Sequence, residues 1–394
     1  MTTPIRPWRD ERVRGLALQM LALAGIGALA VWLIGNVAAN YAALDKTFGF
    51  GFLWQLPANY DINQTLIDYD SRDTHLRAAA VGLLNTLLVA AIGIVLATVL
   101  GVVVGVMRLS PNWLAAKLAA AFVEVTRNTP VLLLILLCHG ILINNLPLPR
   151  NAIDLGGDVF VSNRGVFLPR PLFESGFSIV LAAAAIGLVA LWLLRRRADR
   201  RQARTGERTA WLLPGLAVFA TLVAIAFLAA GRPVGLDAPV FQGFNFRGGV
   251  TLLPELVALT GALAIYTSGF IAEIVRSGIL AVDRGQTEAA RALGLSERRA
   301  MSLVVLPQAL RVIVPPLTSQ YLNLAKNSSL AIAIGYMDLV ATLGGITLNQ
   351  TGREMEAMIL VMAVYLAISL VISALMNLYN RRIRRFDARE GAAR

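Results

Sequence analysis

Lys326 stands inside an apolar stretch, and Gln320, Asn323 and Asn327 recur around it at spacings of three and four, which puts the four side chains on one helical face. Ser328 and Ser329 follow and add hydroxyl donors. A lysine within a membrane span costs about 2.5–3.5 kcal/mol on insertion scales, so it is expected to face a polar cavity or a partner. A second polar group, EVTRNTP from Glu124 to Pro130, sets Glu124 and Arg127 three residues apart, where they can pair. Pro130 frees carbonyls that Thr126 or Asn128 can satisfy. Glu273 and Arg276 repeat the same spacing. The chemistry these groups offer is recognition of a zwitterion. Lys326 and Arg127 suit a carboxylate and Glu124 suits an ammonium, while the competing role of each charged pair is to fix helix register.

A different kind of signal lies at 288–307, EAARALGLSERRAMSLVVLP, a charged, alanine-rich segment between long apolar stretches. Ala289 and Ala290 favour helix and let it sit close in a groove, and Gly294 suits a helix end. Glu288 is expected in the first turn, where a carboxylate is favourable against the helix dipole. Leu306-Pro307 closes the pattern; a solvated amphipathic loop is the plainer alternative.

Bond-making chemistry is not expected of this chain, and no catalytic residues are assigned. No lysine follows a glycine, so the G-x-x-x-x-G-K-[ST] loop that cradles nucleotide phosphates is missing. Energy for any work must come from a partner or an ion gradient. The one cysteine, Cys138, excludes an intrachain disulfide framework, and two histidines, His75 and His139, are too few for a metal site.

The elements that must carry these residues follow from hydropathy. Of 394 residues 57% are hydrophobic and 15% charged, and the mean hydropathy is +0.65. These values describe an all-α polytopic membrane protein. Windows of about 20 apolar residues, enough to cross a bilayer core, fall near 15–36, 80–106, 117–143, 178–194, 212–230, 251–275, 312–337 and 355–380, giving about eight transmembrane helices. Lys and Arg concentrate in 1–14, 107–118, 195–210, 276–311 and 381–394. That asymmetry places these stretches and both termini in the cytosol. The net charge of +12 therefore reports topology, and no nucleic-acid partner is expected. The first apolar stretch is too long for a signal-peptide core and reads as a retained helix. The basic run RRRADRRQARTGER at 195–208 marks a cytosolic loop near anionic lipid. Phe48, Phe50, Phe52 and Trp54 alternate as a strand would, but aromatics just outside a span more often form an interfacial belt. Pro315-Pro316 is expected to kink or delay the helix that follows.

The E-A-A, three residues, G, nine residues, aliphatic-x-L-P pattern resembles the EAA loop of permease subunits of ATP-binding-cassette importers. The resemblance extends through EVTRNTP at 124–130, EIVRSGIL ending at Leu280, GQTEAA at 285–290, LPQALRVIVPP at 306–316 and KNSSLAIAIGY at 326–336. These segments are similar to the polar amino-acid branch. NRGVFLP at 163–169 and the additional helices look like the larger permease of general L-amino-acid importers for glutamate, glutamine, aspartate and asparagine.

The resemblance implies a type I importer permease core with extra helices. The parts would be an N-terminal helix and periplasmic loop (1–78), a first core region (79–143), an inserted segment with two helices and a basic loop (144–250), and a second core region (251–394). It implies a coupling role for Glu288, Ala289, Ala290, Gly294, Leu306 and Pro307. It also implies a homologous second permease forming a heterodimer, two ATPase subunits that bind ATP and Mg, and a periplasmic amino-acid-binding protein, with this chain binding no cofactor. The location implied is the bacterial inner membrane. Related permeases carry KDTSL at 326–330, and Asn327 replaces that carboxylate. The alternative is a gradient-driven secondary amino-acid transporter; a scaffold that only anchors partner subunits is a further rival.

Overall fold

A computed structural model describes residues 11–207 and 210–391 of the chain. The expected cytosolic ends, and Arg208 of the basic run, fall partly outside these residues.

Among the described residues seven helices are long and apolar enough to cross a membrane, and a bent pair passes the same test only when its two arms are taken together. The chain begins with α1 (Glu11–Ala43) and a single turn, α2 (Phe52–Gln55), then enters α3 (His75–Met107). The aromatics at 48–54 form no strand: Phe52 is buried and Trp54 exposed. No residue of α1 is buried. Its C-terminal end is tied down by polar contacts instead. The Tyr41 hydroxyl donates to Glu356 Oε2 (2.9 Å), the Gly49 N–H to Glu356 Oε1 (3.1 Å), and Lys46 Nζ to the Gly352 carbonyl (3.0 Å).

The expected continuous span at 117–143 is two helices. α4 (Trp113–Asn128) and α5 (Val131–Asn145) meet at 107°. Pro130 has no N–H to continue the ladder and holds Thr129 in an extended conformation (φ −92°, ψ 131°). Hydropathy is blind to such a bend because both arms are apolar.

The segment between the two apolar blocks contains β-structure that the sequence reading did not anticipate. β1 (Ile153–Asp154), β2 (Phe160–Ser162), β3 (Gly165–Leu168) and β8 (Val250–Leu252) form an antiparallel sheet in the order β1-β2-β3-β8. β4 (Arg170–Phe173) pairs with β5 (Val234–Asp237) at the base of a helical hairpin, α6 (Phe177–Thr205) and α7 (Leu212–Ala229). β6 (Val240–Gln242) pairs with β7 (Asn245–Arg247). Phe246 stacks at 4.7 Å on Phe160 and at 4.5 Å on the buried Phe167, which ties β7 to β2 and β3.

α8 (Pro254–Leu280) is the axis of the core. On α3 the small residues Gly93, Ala97, Gly101 and Gly105 recur four apart and are all buried; Gly101 and Gly105 pack along α8, while Gly93 lies against Leu324. A Cβ on Gly101 would lie 3.0 Å from the Ser268 carbonyl, and one on Gly105 would lie 2.8 Å from that of Ala272. Backbone therefore meets backbone, the approach that small residues permit between membrane helices. At the end of this seam Arg108 pairs with Glu273, and Arg276 donates to the same carboxylate at 2.6 Å, so the expected Glu273–Arg276 pair is present and recruits a third member.

The chain then forms α9 (Arg284–Ala292), α10 (Glu297–Ala300), a π-helical turn (Met301–Val305) and α11 (Leu306–Asn327), which tightens into a 3-10 stretch (Ser328–Ile334). Pro315 and Pro316 lie within α11 and do not delay it. The preceding residues are already helical, and each proline withholds a donor from the carbonyl four residues earlier and crowds it with its ring. A π-helical stretch (Val340–Thr347), α12 (Leu348–Thr351) and α13 (Glu354–Gly391) complete the chain.

Asp338, fully buried, joins these last elements. Its Oδ1 accepts the Ala341 N–H (2.8 Å) and its Oδ2 the Tyr365 hydroxyl (3.2 Å), while Thr86 on α3 accepts the Leu339 N–H (3.1 Å). Burial pushes the Asp338 carboxyl up to about 6 from an ordinary value of 3.8. Between those two values the folded protein holds a proton that the unfolded chain has released, so stability rises as pH falls through that window.

Two outcomes are expected. Gly105→Ala should lower stability by about 1–3 kcal/mol through overpacking, whereas Gly25→Ala, whose Cβ meets nothing within 4 Å, should not; thermal unfolding in detergent compares them. Between pH 7 and 4.5, wild type should gain about 2 kcal/mol over Asp338→Asn, and equal pH profiles for the two proteins would contradict the burial effect.

Candidate functional site

The EAA segment folds as a short helix whose two ends are both fixed. Asp283 supplies the N-cap, its Oδ1 accepting the Gly285 N–H at 2.6 Å. α9 therefore begins at Arg284, and Glu288 sits in the second turn instead of the first. The sequence carried the signal, an aspartate just ahead of the helical run, but attention to the E-A-A pattern placed the start too late. At the other end Gly294 adopts φ +80°. Its N–H donates to Arg291 O (2.9 Å) and the Leu295 N–H to Ala290 O (3.1 Å), the paired bonds of a Schellman cap. Gly294 thus ends the helix as expected.

The six coupling candidates separate by burial. Ala290 packs inward and is 3% exposed. Glu288, Ala289 and Ala292 face outward on one side of α9, followed by Leu293 at 83% exposed. Leu306 is exposed, and Pro307 follows the π-helical turn at the start of α11. Arg291 bridges to Glu297 (2.7 Å), and Gln308 Nε2 donates to Gln286 Oε1 (3.3 Å) and Val304 O (3.0 Å). The segment is therefore braced against the foot of α11, with small side chains and one large apolar side chain facing away.

At the opposite end of α11, about 30 Å along the helix from Leu306, lies the polar face. Asn323 and Lys326 are exposed and Gln320 and Asn327 half-buried. Among the described residues Lys326 forms no ion pair, so its charge is left for something outside this chain. Ser328 does not join the face: it is buried and its hydroxyl turns back to Ala325 O (2.7 Å). The helix tightens at that point, which rotates Ser328 inward. Tyr321 anchors α11 to α3 through a 2.9 Å hydroxyl contact with Thr98.

Glu124 and Arg127 are both exposed near the end of α4, yet they form no ion pair with one another. Glu124 accepts from Asn128 Nδ2 (3.2 Å), and the Arg127 guanidinium lies 5.4 Å from the centre of the Phe270 ring on α8. The ring face offers a partner within reach of a long side chain, and the amide one turn on takes the carboxylate. The Thr126 hydroxyl donates to Phe122 O at 2.8 Å, a carbonyl one turn before those that Pro130 frees. α4 and α11 each pack mainly on α8. The structure therefore sets the two groups of candidates on separate helices that share α8 as their support.

Three further features escaped the sequence reading: Arg108, Asp338 and a cavity at the C-terminal end of α5 and the N-terminal end of α8. Their partners lie far away in sequence, so no local spacing reveals them.

Comparison with known proteins accords with this arrangement. The chain is 49% identical over 407 aligned positions, 95% of each chain, to the glutamate/glutamine/aspartate/asparagine transport system permease protein BztB of Rhodobacter capsulatus. It is 44% identical over 374 positions, covering 95% of this chain and 93% of the other, to the general L-amino acid transport system permease protein AapQ of Rhizobium johnstonii. Residues 93–385, which include the bent pair, the braced helix α9 and the polar face of α11, match the model of one family. The chain belongs to the binding-protein-dependent transport system inner membrane component family, and is a multi-pass inner-membrane permease subunit without catalytic chemistry of its own.

Proposed function

We propose that this chain is the permease subunit of an ATP-driven importer for polar L-amino acids of the glutamate, glutamine, aspartate and asparagine type. The observation that carries this reading is the likeness, over nearly the full length of both chains, to permeases named for these amino acids. The complete assembly contains a homologous second permease, two ATPase subunits that hold ATP and Mg, and a periplasmic amino-acid-binding protein. Both termini and the α9 segment face the cytosol, the basic end of α6 lies near anionic lipid, and residues 144–250 are an insertion into the permease core.

In this reading α9 is the docking helix for one ATPase. Its outward side chains are small enough to enter a groove, and its ties to α11 through Gln308 and to α10 through Arg291 let a push on α9 reach a transmembrane helix as a rigid-body movement. The polar face of α11 lines the path. An exposed ammonium on a membrane helix is costly against lipid, which supports placing Gln320, Asn323, Lys326 and Asn327 toward the second permease across a hydrated space. Glu124 and Arg127 contribute from α4, at the same support.

Affinity purification of the tagged chain from its native membrane tests the assembly. A nucleotide-binding ATPase and a second permease should accompany it, with hydrolysis stimulated by the amino-acid-loaded binding protein; recovery of the chain alone under several mild conditions would oppose the reading and favour a gradient-driven transporter. In the reconstituted complex, Glu288→Lys and Gly294→Val should each lower uptake at least about tenfold, the equivalent of about 1.4 kcal/mol of coupling, with membrane insertion unchanged. Lys326→Ala should lower uptake by a similar factor while the complex still assembles, and normal uptake would remove Lys326 from the path.

A further inference from the structure

At the outer end of the molecule a cavity of about 320 Å³ opens between the loop after α2, the tip of α5, the start of α8 and the β-structured segment. It is separate from the polar face of α11. Its polar lining is Asn63, Gln64, Asn163, Arg164, Asn245 and Glu255, and its volume lies in the range of about 300–1,000 Å³ typical of small-molecule sites.

The wall is built from distant parts of the chain, with residues 335–337 after the 3-10 stretch closing it, and is held in register by hydrogen bonds to the backbone. Gln64 Oε1 accepts the Leu253 N–H (3.4 Å), and Gln64 O accepts from Asn85 Nδ2 (2.8 Å). The Asn163 N–H donates to Pro147 O (2.9 Å). Arg164 is placed by a tight turn. Its N–H meets Ser162 Oγ (3.1 Å), its guanidinium donates to Phe244 O (3.2 Å), and Gly165 at φ +126° closes the turn. One bond leaves most of the five guanidinium donors uncommitted.

The charges around this cavity are one cation, Arg164, and one anion, Glu255. Among the described residues no lysine or arginine lies within 4.0 Å of the Glu255 carboxylate, and the nearest ring nitrogen is His139 Nε2 at 3.9 Å. The side-chain oxygens of Asn163 and Asn245 are buried without a hydrogen-bond partner, as is His139 Nε2 beside Glu255. Buried polar atoms are nearly always paired in folded proteins, so two amides with spare capacity at the same cavity are unusual.

We propose that this cavity binds a small zwitterion of the α-amino-acid class, its carboxylate toward Arg164, its ammonium toward Glu255, and its polar side chain among the amides. The proposal rests on the importer reading above for the identity of its substrate. Charge selects the class: a simple anion would leave Glu255 opposed and a simple cation would leave Arg164 opposed, whereas a zwitterion matches both. Such a site would receive the amino acid at the outer mouth before the transmembrane path, and it gives the β-structured part of the inserted segment a role.

The test is calorimetric titration of the full chain in lipid nanodiscs with L-glutamine, N-acetyl-L-glutamine, which lacks the ammonium, and L-glutaminamide, which lacks the carboxylate. L-Glutamine should bind wild type, and Arg164→Gln and Glu255→Gln should each weaken it by roughly tenfold or more, as expected for a lost hydrogen bond to a charged group. N-acetylation should weaken binding to wild type by a like factor and cost nothing further in Glu255→Gln. Should Arg164→Gln fail to insert, Arg164→Lys, expected to bind within a few-fold of wild type, and Glu255→Gln with the two analogues still decide the matter. Equal binding by wild type and both variants, or no binding by well-folded wild type, would overturn the site. So would loss confined to Lys326→Ala, which would place the ligand on α11. Variants that bind L-glutamine normally and lose only stimulation by the binding protein would make the cavity a protein-docking face and overturn the small-molecule reading. The two readings fail separately: amino-acid uptake by the whole complex with unaltered binding in the variants defeats only the cavity, and binding here without any uptake by the wild-type complex defeats only the importer.

Discussion

The backbone contact between α3 and α8 is the constraint on which the rest depends. Within a bilayer lipid tails are as apolar as leucine, so helices gain little by hiding apolar side chains from solvent and must associate through close packing and polar contacts. Gly101 and Gly105 bring α3 against the carbonyls of Ser268 and Ala272. That leaves α8 as a buried post against which α4, α5 and α11 are set. Arg108, Glu273 and Arg276 close one end of the seam, while the polar group around Thr86 and Asp338 secures the N-terminal half of α3.

Charge is distributed so that the fixed and the available groups differ in burial. Glu356 and Asp338 are fully buried and satisfied by several donors, and they hold elements together. Lys326, Glu124 and Arg127 are exposed and lightly engaged. A charge without a strong internal partner on a membrane helix is stable only against water or another polar surface. The same chain therefore carries structural charges on the inside of its fold and prospective working charges on the outside.

α9 and α11 show how a short surface helix becomes mechanically connected to a long one. A nine-residue helix would be marginal alone. Asp283 and Gly294 cap it, Ala290 seats it, and Gln308 and Arg291 tie it to neighbouring turns. The exposed face is left without a structural task.

Sequence by itself determined the class, seven of the apolar spans and the helix end at Gly294, because hydropathy and the left-handed preference of glycine are local properties. The four-residue stripe Gly93, Ala97, Gly101 and Gly105 was equally legible, yet small residues have no meaning until a facing helix is known. Tertiary structure alone decided that α4 and α5 bend by 107°, since both arms have the same hydropathy. It also decided that Arg127 lies over Phe270 instead of pairing with Glu124, that Ser328 turns inward, and that Arg108 completes the Glu273 pair. The cavity of Asn63, Asn163, Arg164, Asn245 and Glu255 was beyond sequence for the same reason. Its walls come from segments separated by long stretches of chain, and only packing brings them together.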